Sequence, residues 1–203
     1  MQIVIFGGFL GSGKTTLVQA FLHGIIEHGQ TAAVIENEIG EAGLDQALLE
    51  ETGIRITPLF GGCVCCTLAG DLLTTSQKIN DTIHPDWLVI ETTGFAVVRT
   101  LLDVFEKYDE TKSPVCAVTV VDSTRWEKMY GVTPYLMEGQ LNGACALLIT
   151  KIDVQPAQES LLQKLTELAP QTPVIPVCAK QVSGNELYEK LAPYVKRSEA
   201  KGE

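Results

Sequence analysis

The feature that most constrains the fold is a glycine-rich loop close to the N-terminus. It reads Gly8-Phe9-Leu10-Gly11-Ser12-Gly13-Lys14-Thr15 and has the spacing G-x-x-x-x-G-K-[ST]. An apolar run over residues 3–6 precedes it and an amphipathic helical pattern follows it, which is the context in which this spacing binds phosphate. The alternative is a plain glycine turn between a strand and a helix. We predict a phosphate-binding loop at the start of an α/β domain.

The residues of this loop have separate predicted roles. Backbone N–H groups turn toward phosphate oxygens, and the helix N-terminus adds positive potential. Lys14 is expected to reach the β- and γ-phosphates as a catalytic residue, and Thr15 to give its hydroxyl to Mg²⁺. The predicted nucleotide-binding residues here are Gly8, Gly11, Ser12, Gly13, Lys14, Thr15 and Thr16.

Apolar, β-branched segments alternate with helical patterns along the rest of the chain. Such a pattern is typical of a mostly parallel sheet with helices on both faces, so we predict an α/β fold of the phosphate-loop NTPase type, similar to a G domain. One domain is expected over 1–195, with a charged, disordered tail over 196–203. The predicted strands are 2–6, 31–36, 54–59, 87–91, 115–121, 144–149 and 173–178. The predicted helices are 14–28, 43–51, 69–82, 97–107, 156–168 and 184–195. The stretch 123–143 is expected to be irregular with one short helix, because Pro134, Gly139 and Gly143 interrupt its weak periodicity.

The composition excludes several functions. The net charge is −10, with acidic residues spread along the chain, whereas nucleic-acid binding needs clustered Lys and Arg. No apolar run is long enough to span a membrane. The first apolar run has no basic flank and leads straight into the glycine loop, so no signal peptide is predicted. Together with clustered thiols, these features indicate the reducing cytoplasm.

A second apolar strand ends in an acidic residue. Residues 86–94 read Asp-Trp-Leu-Val-Ile-Glu-Thr-Thr-Gly, and a phosphate-loop protein places its Mg²⁺-binding carboxylate at such a strand end. Glu91 is therefore the candidate Mg²⁺ ligand, directly or through water, and a candidate catalytic residue, and Gly94 can approach a γ-phosphate by its backbone. An ordinary acid at a strand end is the alternative.

The segment after the second predicted strand is also acidic. It reads Glu36-Asn37-Glu38-Ile39-Gly40-Glu41. Its carboxylates could sense γ-phosphate, hold Mg²⁺ or give oxygen ligands to a transition metal, with Glu38 as the candidate. A solvated acidic loop is the alternative.

A third motif indicates which base is bound. Residues 146–153 form an apolar strand that ends in Thr150-Lys151-Ile152-Asp153. The Asp153 carboxylate can accept the N1–H and N2 hydrogens of guanine, a pair of donors that adenine lacks. Lys151 would lay its stem over the base, and a backbone N–H around Ala179 and Lys180 could meet guanine O6. We therefore predict GTP rather than ATP.

Half of the six cysteines lie in one short window, as Cys63, Cys65 and Cys66 after two glycines. Three thiolates suit Zn²⁺ or a similar ion such as Co²⁺. The fourth ligand is left open between an acid of 36–41, a water and a partner. The alternatives are a redox thiol pair or buried thiols. Cys116, Cys145 and Cys178 are predicted to be small core residues.

Together these motifs resemble those of the CobW-type metallochaperone GTPases, relatives of HypB and UreG. The resemblance covers the chain from Ile3 to about Leu191. It rests on the glycine loop through Thr16 and on the segments 36–40, 62–66, 91–96 and 150–153.

The resemblance implies a GTPase whose nucleotide state is coupled to Zn²⁺ or Co²⁺ binding by Cys63, Cys65 and Cys66, for delivery to a client metalloenzyme or cofactor-assembly protein. Three departures bear on this. Thr150 replaces the usual Asn of N-K-x-D, but signal-recognition GTPases also use T-K-x-D, so guanine binding is still implied. Val97-Val98 stand where proline is frequent, so the local turn is expected to differ. Most members carry a second, C-terminal domain, so client docking is expected to come from another protein, or the client is expected to differ.

The hypothesis is therefore a GTP- and Mg²⁺-dependent metallochaperone. Hydrolysis is expected to be slow alone, because no water-positioning Gln or arginine finger can be assigned, and a homodimer or a client could activate it. The rival is a nucleotide-gated regulatory protein with negligible turnover that docks on a client. A small-molecule kinase would need an arginine-rich lid, and the arginines of this chain are dispersed.

Overall fold

The described residues form a parallel sheet with helices packed on its two faces. A computed structural model of the chain describes residues 1–36, 55–58, 67–109 and 112–196. The strands are β1 (Gln2–Gly8), β2 (Ala32–Glu36), β3 (Arg55–Pro58), β4 (Trp87–Glu91), β5 (Val115–Asp122), β6 (Ala146–Thr150) and β7 (Val174–Pro176). The helices are α1 (Lys14–Glu27), α2 (Thr67–Ile83), α3 (Val98–Tyr108), α4 (Trp126–Val132), α5 (Pro134–Leu141), α6 (Glu159–Leu168) and α7 (Gly184–Lys196).

The strand order in the described part of the sheet is β3-β2-β4-β1-β5-β6-β7, and each neighbouring pair is parallel. β1 lies between β4 and β5, so the loop that follows β1 emerges in the middle of the sheet. In open parallel sheets, ligands bind at the carboxyl ends of the strands. The predicted α/β fold is confirmed, and the order brings the ends of β1, β4, β5 and β6 to one edge.

Alternation along β1 shows how the two faces are covered. Val4 and Phe6 pack with α1 and α7 in one apolar cluster, while Ile3 and Ile5 pack with α2 and α3 in another. All four side chains are at most 1% exposed. Successive strand side chains point to opposite faces, so a strand that is apolar at every position needs helices on both sides. This packing fixes β1 as the rigid base of the glycine loop.

The segment 123–143 differs from its prediction. We predicted an irregular stretch with one short helix, but it forms two helices, α4 and α5. Pro134 was interpreted as a breaker, whereas it stands in the first turn of α5, where proline costs no hydrogen bond and its fixed φ suits the helix. Gly143, with φ 83°, comes after the helix rather than inside it.

Several predictions lie outside the described residues. They are the helix over 43–51 and most of the tail, so the division into a domain over 1–195 and a disordered tail stays a prediction. The other predicted helices and all seven strands are present, with ends shifted by at most three residues. Among the described helices, none is long and apolar enough to cross a membrane.

Two of the cysteines outside the 63–66 window are paired. Cys116 in β5 is buried, and Cys145 lies immediately before β6, with a Cα–Cα distance of 5.9 Å and a disulfide between the sulfurs. Cys116 is a buried core residue, as predicted, and Cys145 is partly buried against the same cluster, but the bond between them was not predicted. Neighbouring parallel strands bring the two residues side by side. Cys178 has a free, partly exposed thiol.

The crossing of α1 and α7 depends on two glycines in contact. A Cβ atom at Gly24 would overlap the Gly184 carbonyl oxygen, and one at Gly184 would lie 2.7 Å from Gly24 N. The helix backbones therefore approach more closely than any side chain permits, and this contact holds α7 over α1, whose first residues form part of the glycine loop.

We predict opposite effects for two Gly→Ala substitutions. Gly24→Ala should lower the free energy of unfolding by about 1–3 kcal/mol, because overpacking separates the helices. Gly70→Ala in α2 should raise it by about 0.5–1 kcal/mol, since a methyl group there meets nothing within 4 Å and removes the entropy cost of glycine in a helix. Urea unfolding of both variants measures this. Equal effects would show that the close helix contact does not contribute to stability.

Candidate functional site

The glycine loop between β1 and α1 takes a conformation that only glycine tolerates at several positions. Gly8, Gly11 and Gly13 have φ of 132°, 73° and 97°, in the region where a Cβ atom is strained. A Cβ atom at Gly8 would also overlap the Val120 carbonyl oxygen of β5. Ser12 N donates to Phe9 O at 3.1 Å, so the loop curls on itself. This folded loop directs its backbone toward the open edge of the sheet.

Lys14 and Thr15 begin α1 and face the centre of the loop. Lys14 is 5% exposed, and its Nζ donates to Phe9 O at 3.1 Å across the loop. Thr15 Oγ1 donates to Glu91 Oε1 at 2.6 Å. Glu91 ends β4 and is 4% exposed. The residues predicted from two separate motifs therefore meet, with a hydroxyl and a carboxylate beside a lysine, which is a set of oxygen donors that suits Mg²⁺.

The segment after β4 lies against the glycine loop. A Cβ atom at Gly94 would lie 2.5 Å from Leu10 N, so backbone packs directly on backbone. Thr92 N and Thr92 Oγ1 both donate to Phe6 O, at 3.0 and 3.1 Å. Phe95 is 69% exposed and meets Phe9 edge to face with ring centroids 6.5 Å apart. Gly94 is thus held beside the loop, and its predicted approach to a γ-phosphate stays a prediction.

The predicted base-recognition motif borders the other side of the loop. Thr150 is fully buried, and its Oγ1 donates to Ser12 O at 2.6 Å. A Cβ atom at Gly13 would lie 3.7 Å from Ala179 Cβ and 3.8 Å from Thr150 Cγ2. Thr150 and Ala179 therefore both lie next to the end of the glycine loop. Asp153 and Lys180 are exposed and lie a few residues beyond Thr150 and Ala179, and Thr16 is exposed at the start of α1.

Lys151 is held in an unusual conformation by an ion pair. Its φ is 58°, which is uncommon for a residue with a side chain and concentrates at functional sites. Its Nζ lies 2.7 Å from Asp122 Oδ2 at the end of β5. Burial acts to raise the pKa of Asp122, but hydrogen bonds from Lys151 and Thr124 outweigh it and the pKa is lowered. Asp122 therefore stays ionised and anchors Lys151.

The predicted ligands of the transition metal lie outside the described residues, whereas the Mg²⁺ candidates Thr15 and Glu91 lie within them. Those outside are Cys63, Cys65, Cys66 and Glu38, together with the remainder of the acidic segment after Glu36. Among the residues that the structure does describe, no group of three His, Cys, Asp or Glu side chains could hold a metal ion. The thiolate site therefore stays a prediction from the sequence.

Three residues near the loop were missed by sequence reasoning. Asp122 ends an apolar strand as Glu91 does, so the same signal could have found it. Arg125 was given no role because the arginines of the chain are dispersed, yet its guanidinium Nη1 would lie 3.5 Å from a Cβ atom at Gly11. Gln140 lies in the stretch that we predicted to be irregular, and its Nε2 donates to Gly94 O at 2.9 Å. No local signal marked Arg125 or Gln140, because α4 and α5 bring them to the loop.

A small apolar cavity adjoins these residues. It has a volume of about 190 Å³ and lies between the glycine loop, Phe95 and the pair α4 and α5. Its lining includes Leu10, Phe95, Trp126, Met137, Gln140 and Leu141. Its walls therefore belong both to the loop and to the helices behind it.

The profile of the CobW/HypB/UreG nucleotide-binding domain matches residues 2–176. The chain belongs to this family. Zinc chaperone YjiA of Escherichia coli K12 is 33% identical over 188 residues, which are 87% of this chain and 57% of YjiA. Zinc chaperone CobW of a Sinorhizobium species is 36% identical over 129 residues, 59% of this chain and 36% of CobW. The chain thus spans about a third to somewhat over half of the length of these relatives.

Solved structures of the family share the fold. Zn(II)-bound YjiA GTPase from E. coli has a TM-score of 0.63 at 25% identity, over 92% of this chain and 62% of that one. The hydrogenase maturation factor HypB from Archaeoglobus fulgidus has a TM-score of 0.71 at 20% identity, over 96% of this chain and 90% of HypB. The fold is that of the phosphate-loop GTPases, as the sequence predicted.

We predict that Thr150 stabilises the glycine loop through its hydroxyl. Thr150→Val should lower the free energy of unfolding by about 1–2 kcal/mol, because the buried Ser12 carbonyl loses its donor. Thr150→Ser keeps the hydroxyl and is the matched control, with a smaller expected loss. Urea unfolding measures both. A Val variant as stable as the wild type would show that this hydrogen bond does not hold the loop.

Proposed function

We propose that this chain binds and hydrolyses GTP with Mg²⁺ and couples the bound nucleotide to Zn²⁺ or Co²⁺ binding at Cys63, Cys65 and Cys66. The observation that carries the nucleotide part is the meeting of Lys14, Thr15 and Glu91 at the end of β1, with Thr15 Oγ1 and Glu91 Oε1 2.6 Å apart. These residues come from two motifs 76 positions apart. The family to which the chain belongs supports the same function.

The loop residues would bind the phosphates. Lys14 would leave the Phe9 carbonyl for the β- and γ-phosphates, where a charge-assisted hydrogen bond is stronger than a neutral one. Backbone N–H groups of Gly11, Ser12 and Gly13 would donate to phosphate oxygens. Among the described residues, two buried hydroxyl oxygens, Ser12 Oγ and Thr93 Oγ1, have no hydrogen-bond partner. Ser12 lies in the glycine loop, and Thr93 immediately precedes Gly94. Such groups are expected where a polar ligand belongs.

Thr15 and Glu91 would hold Mg²⁺, the latter directly or through water. The metal ion neutralises charge that develops on the phosphates. Lys14 would stabilise the same charge from the other side, and Gly94 would present its backbone to the γ-phosphate. We expect turnover to be slow without a partner, because the sequence assigns no water-positioning Gln or arginine finger.

We expect Asp153→Asn to change the preferred base. The variant loses an acceptor for the N2 amino group of guanine, so GTP affinity should fall about tenfold or more. The new amide can donate to the C2 carbonyl of xanthine, so XTP affinity should rise. Competition against a fluorescent nucleotide measures both, and the exposed position of Asp153 leaves the fold intact. If GTP and XTP affinities stay as in the wild type, Asp153 does not read the base.

The strand register supports coupling between the two sites. The Cα atoms of Pro58, Glu36 and Glu91 lie opposite one another at the ends of β3, β2 and β4. Neighbouring strands are about 4.8 Å apart, so the segment that contains the cysteines leaves the sheet about 10 Å from the Glu91 backbone. We propose that GTP orders 36–41 and 91–96, which forms the thiolate site, and that hydrolysis relaxes both segments and releases the metal.

Zinc is the first ion to test, because several relatives are named zinc chaperones and two YjiA structures are Zn(II)-bound. Zn²⁺ and Co²⁺ affinity of the reduced protein should be measured by chelator competition, with Mg²⁺ and either GTPγS or GDP. We expect binding about tenfold tighter with GTPγS, within the usual range of coupling, and strongly weakened by Cys65→Ala. Affinity that is the same in both nucleotide states would contradict the coupling.

Phosphate release in the same samples separates a GTPase from a nucleotide-gated binding protein. Measurable turnover that increases with metal or with protein concentration supports the metallochaperone, and the absence of turnover supports the regulatory rival. We propose a client metalloenzyme or cofactor-assembly protein in the cytoplasm as the recipient, with a homodimer as one route to activation.

A further inference from the structure

Gly94, which packs against the phosphate loop, accepts a hydrogen bond from a buried glutamine. Gln140 lies on α5 and is 2% exposed. Its Nε2 donates to Gly94 O at 2.9 Å. A peptide carbonyl only accepts hydrogen bonds, so the side-chain amide must present its NH₂ end to Gly94.

The glutamine is itself anchored to the sheet. The backbone carbonyl oxygen of Gln140 accepts a hydrogen bond from Thr119 Oγ1 at 2.6 Å. Thr119 lies in the middle of β5 and is 1% exposed. The Gln140 backbone therefore lies against β5, where the buried side chains of Met137 and Leu141 also hold α5, and its side chain extends from there to the segment after β4.

Burying a primary amide needs a reason, because an apolar side chain of the same length would fit among the neighbouring Met137 and Leu141 without any desolvation cost. Gly94 supplies the reason. A glycine has wide freedom in φ and ψ, and its carbonyl would otherwise lack a fixed direction. The amide of Gln140 fixes that direction by its hydrogen bond to Gly94 O.

We propose that Gln140 is a positioning residue, which holds the Gly94 backbone in the orientation that recognises the γ-phosphate and so lets the protein distinguish GTP from GDP. The inference rests on the proposed function of this site. GDP has no group at the γ position, so its affinity does not depend on Gly94. The same hydrogen bond ties the nucleotide state to α5, which forms a wall of the apolar cavity.

The test is the equilibrium affinity of the full chain for GTPγS and for GDP, with Mg²⁺ present. Gln140→Leu has nearly the same volume and no donor. We expect its Kd for GTPγS to rise about tenfold, while its Kd for GDP stays within about twofold of the wild type. Gln140→Asn keeps the amide but shortens its reach by one methylene, so we expect the same selective loss of GTPγS affinity. This variant replaces Gln140→Leu if the latter does not fold.

Thr119→Val is the matched control. It removes the other hydrogen bond of Gln140 and disturbs the same packing, yet leaves the donor to Gly94 in place. We expect its GTPγS and GDP affinities to keep the wild-type ratio, even where thermal unfolding shows a loss of stability. An equal change in the ratio for Thr119→Val and Gln140→Leu would assign the effect to the packing of α5 and overturn the proposal.

The result also separates this inference from the proposed function. A wild-type protein that binds neither GTPγS nor GDP refutes the proposed function. A wild type that binds both, with a Gln140→Leu variant that changes both affinities equally or neither of them, refutes only the role of Gln140.

Discussion

Backbone packs on backbone where β1 ends, and the geometry of the rest of the site depends on that contact. Gly8 passes the Val120 carbonyl with no space for a side chain, and a Cβ atom at Gly94 would lie 2.5 Å from Leu10 N. The phosphate loop is therefore compressed between the ends of β5 and β4. In such close packing, a displacement of either neighbour moves the loop, because protein interiors transmit strain rather than absorb it. We propose, for this reason, that nucleotide binding to the loop moves the segment after β4.

Contacts with carboxylates at strand ends hold the Thr15 and Lys151 side chains in place before any ligand binds. Thr15 is paired with Glu91, and Lys151 with Asp122. Each pair joins a residue of one motif to the end of a different strand, so its geometry is fixed by the sheet. Side chains that are already oriented lose little rotamer freedom on binding. Lys151 makes its ion pair with Asp122 from a backbone conformation with positive φ, 58°.

The fold and the phosphate side of the site could be predicted because both depend on local patterns. Apolar strands and the G-x-x-x-x-G-K-T spacing each need only a few neighbouring residues. The contacts of Gln140 and Arg125 with the site could not be predicted, since they depend on where α4 and α5 lie. Pro134 was interpreted as interrupting helical structure, whereas it begins a helix. The disulfide between Cys116 and Cys145 was missed for a similar reason, because pairing across strands is a property of register. The substitution of Thr150 for the family's Asn is accommodated, since its hydroxyl reaches Ser12 O at 2.6 Å.

The row formed by Pro58, Glu36 and Glu91 limits how a nucleotide state could reach the cysteines. These residues end three adjacent strands in register. The strands are held by backbone hydrogen bonds and do not shift singly, because a slip by one residue would turn every side chain to the other face. We therefore propose that any change coupled to the nucleotide takes place beyond the strand ends. β2, which ends at Glu36, lies between β4 and β3, so a cation bound at Glu91 would change the charge close to the point where the acidic segment 36–41 begins. Electrostatic repulsion, or its relief, is the route that we propose from the phosphates to the thiolates.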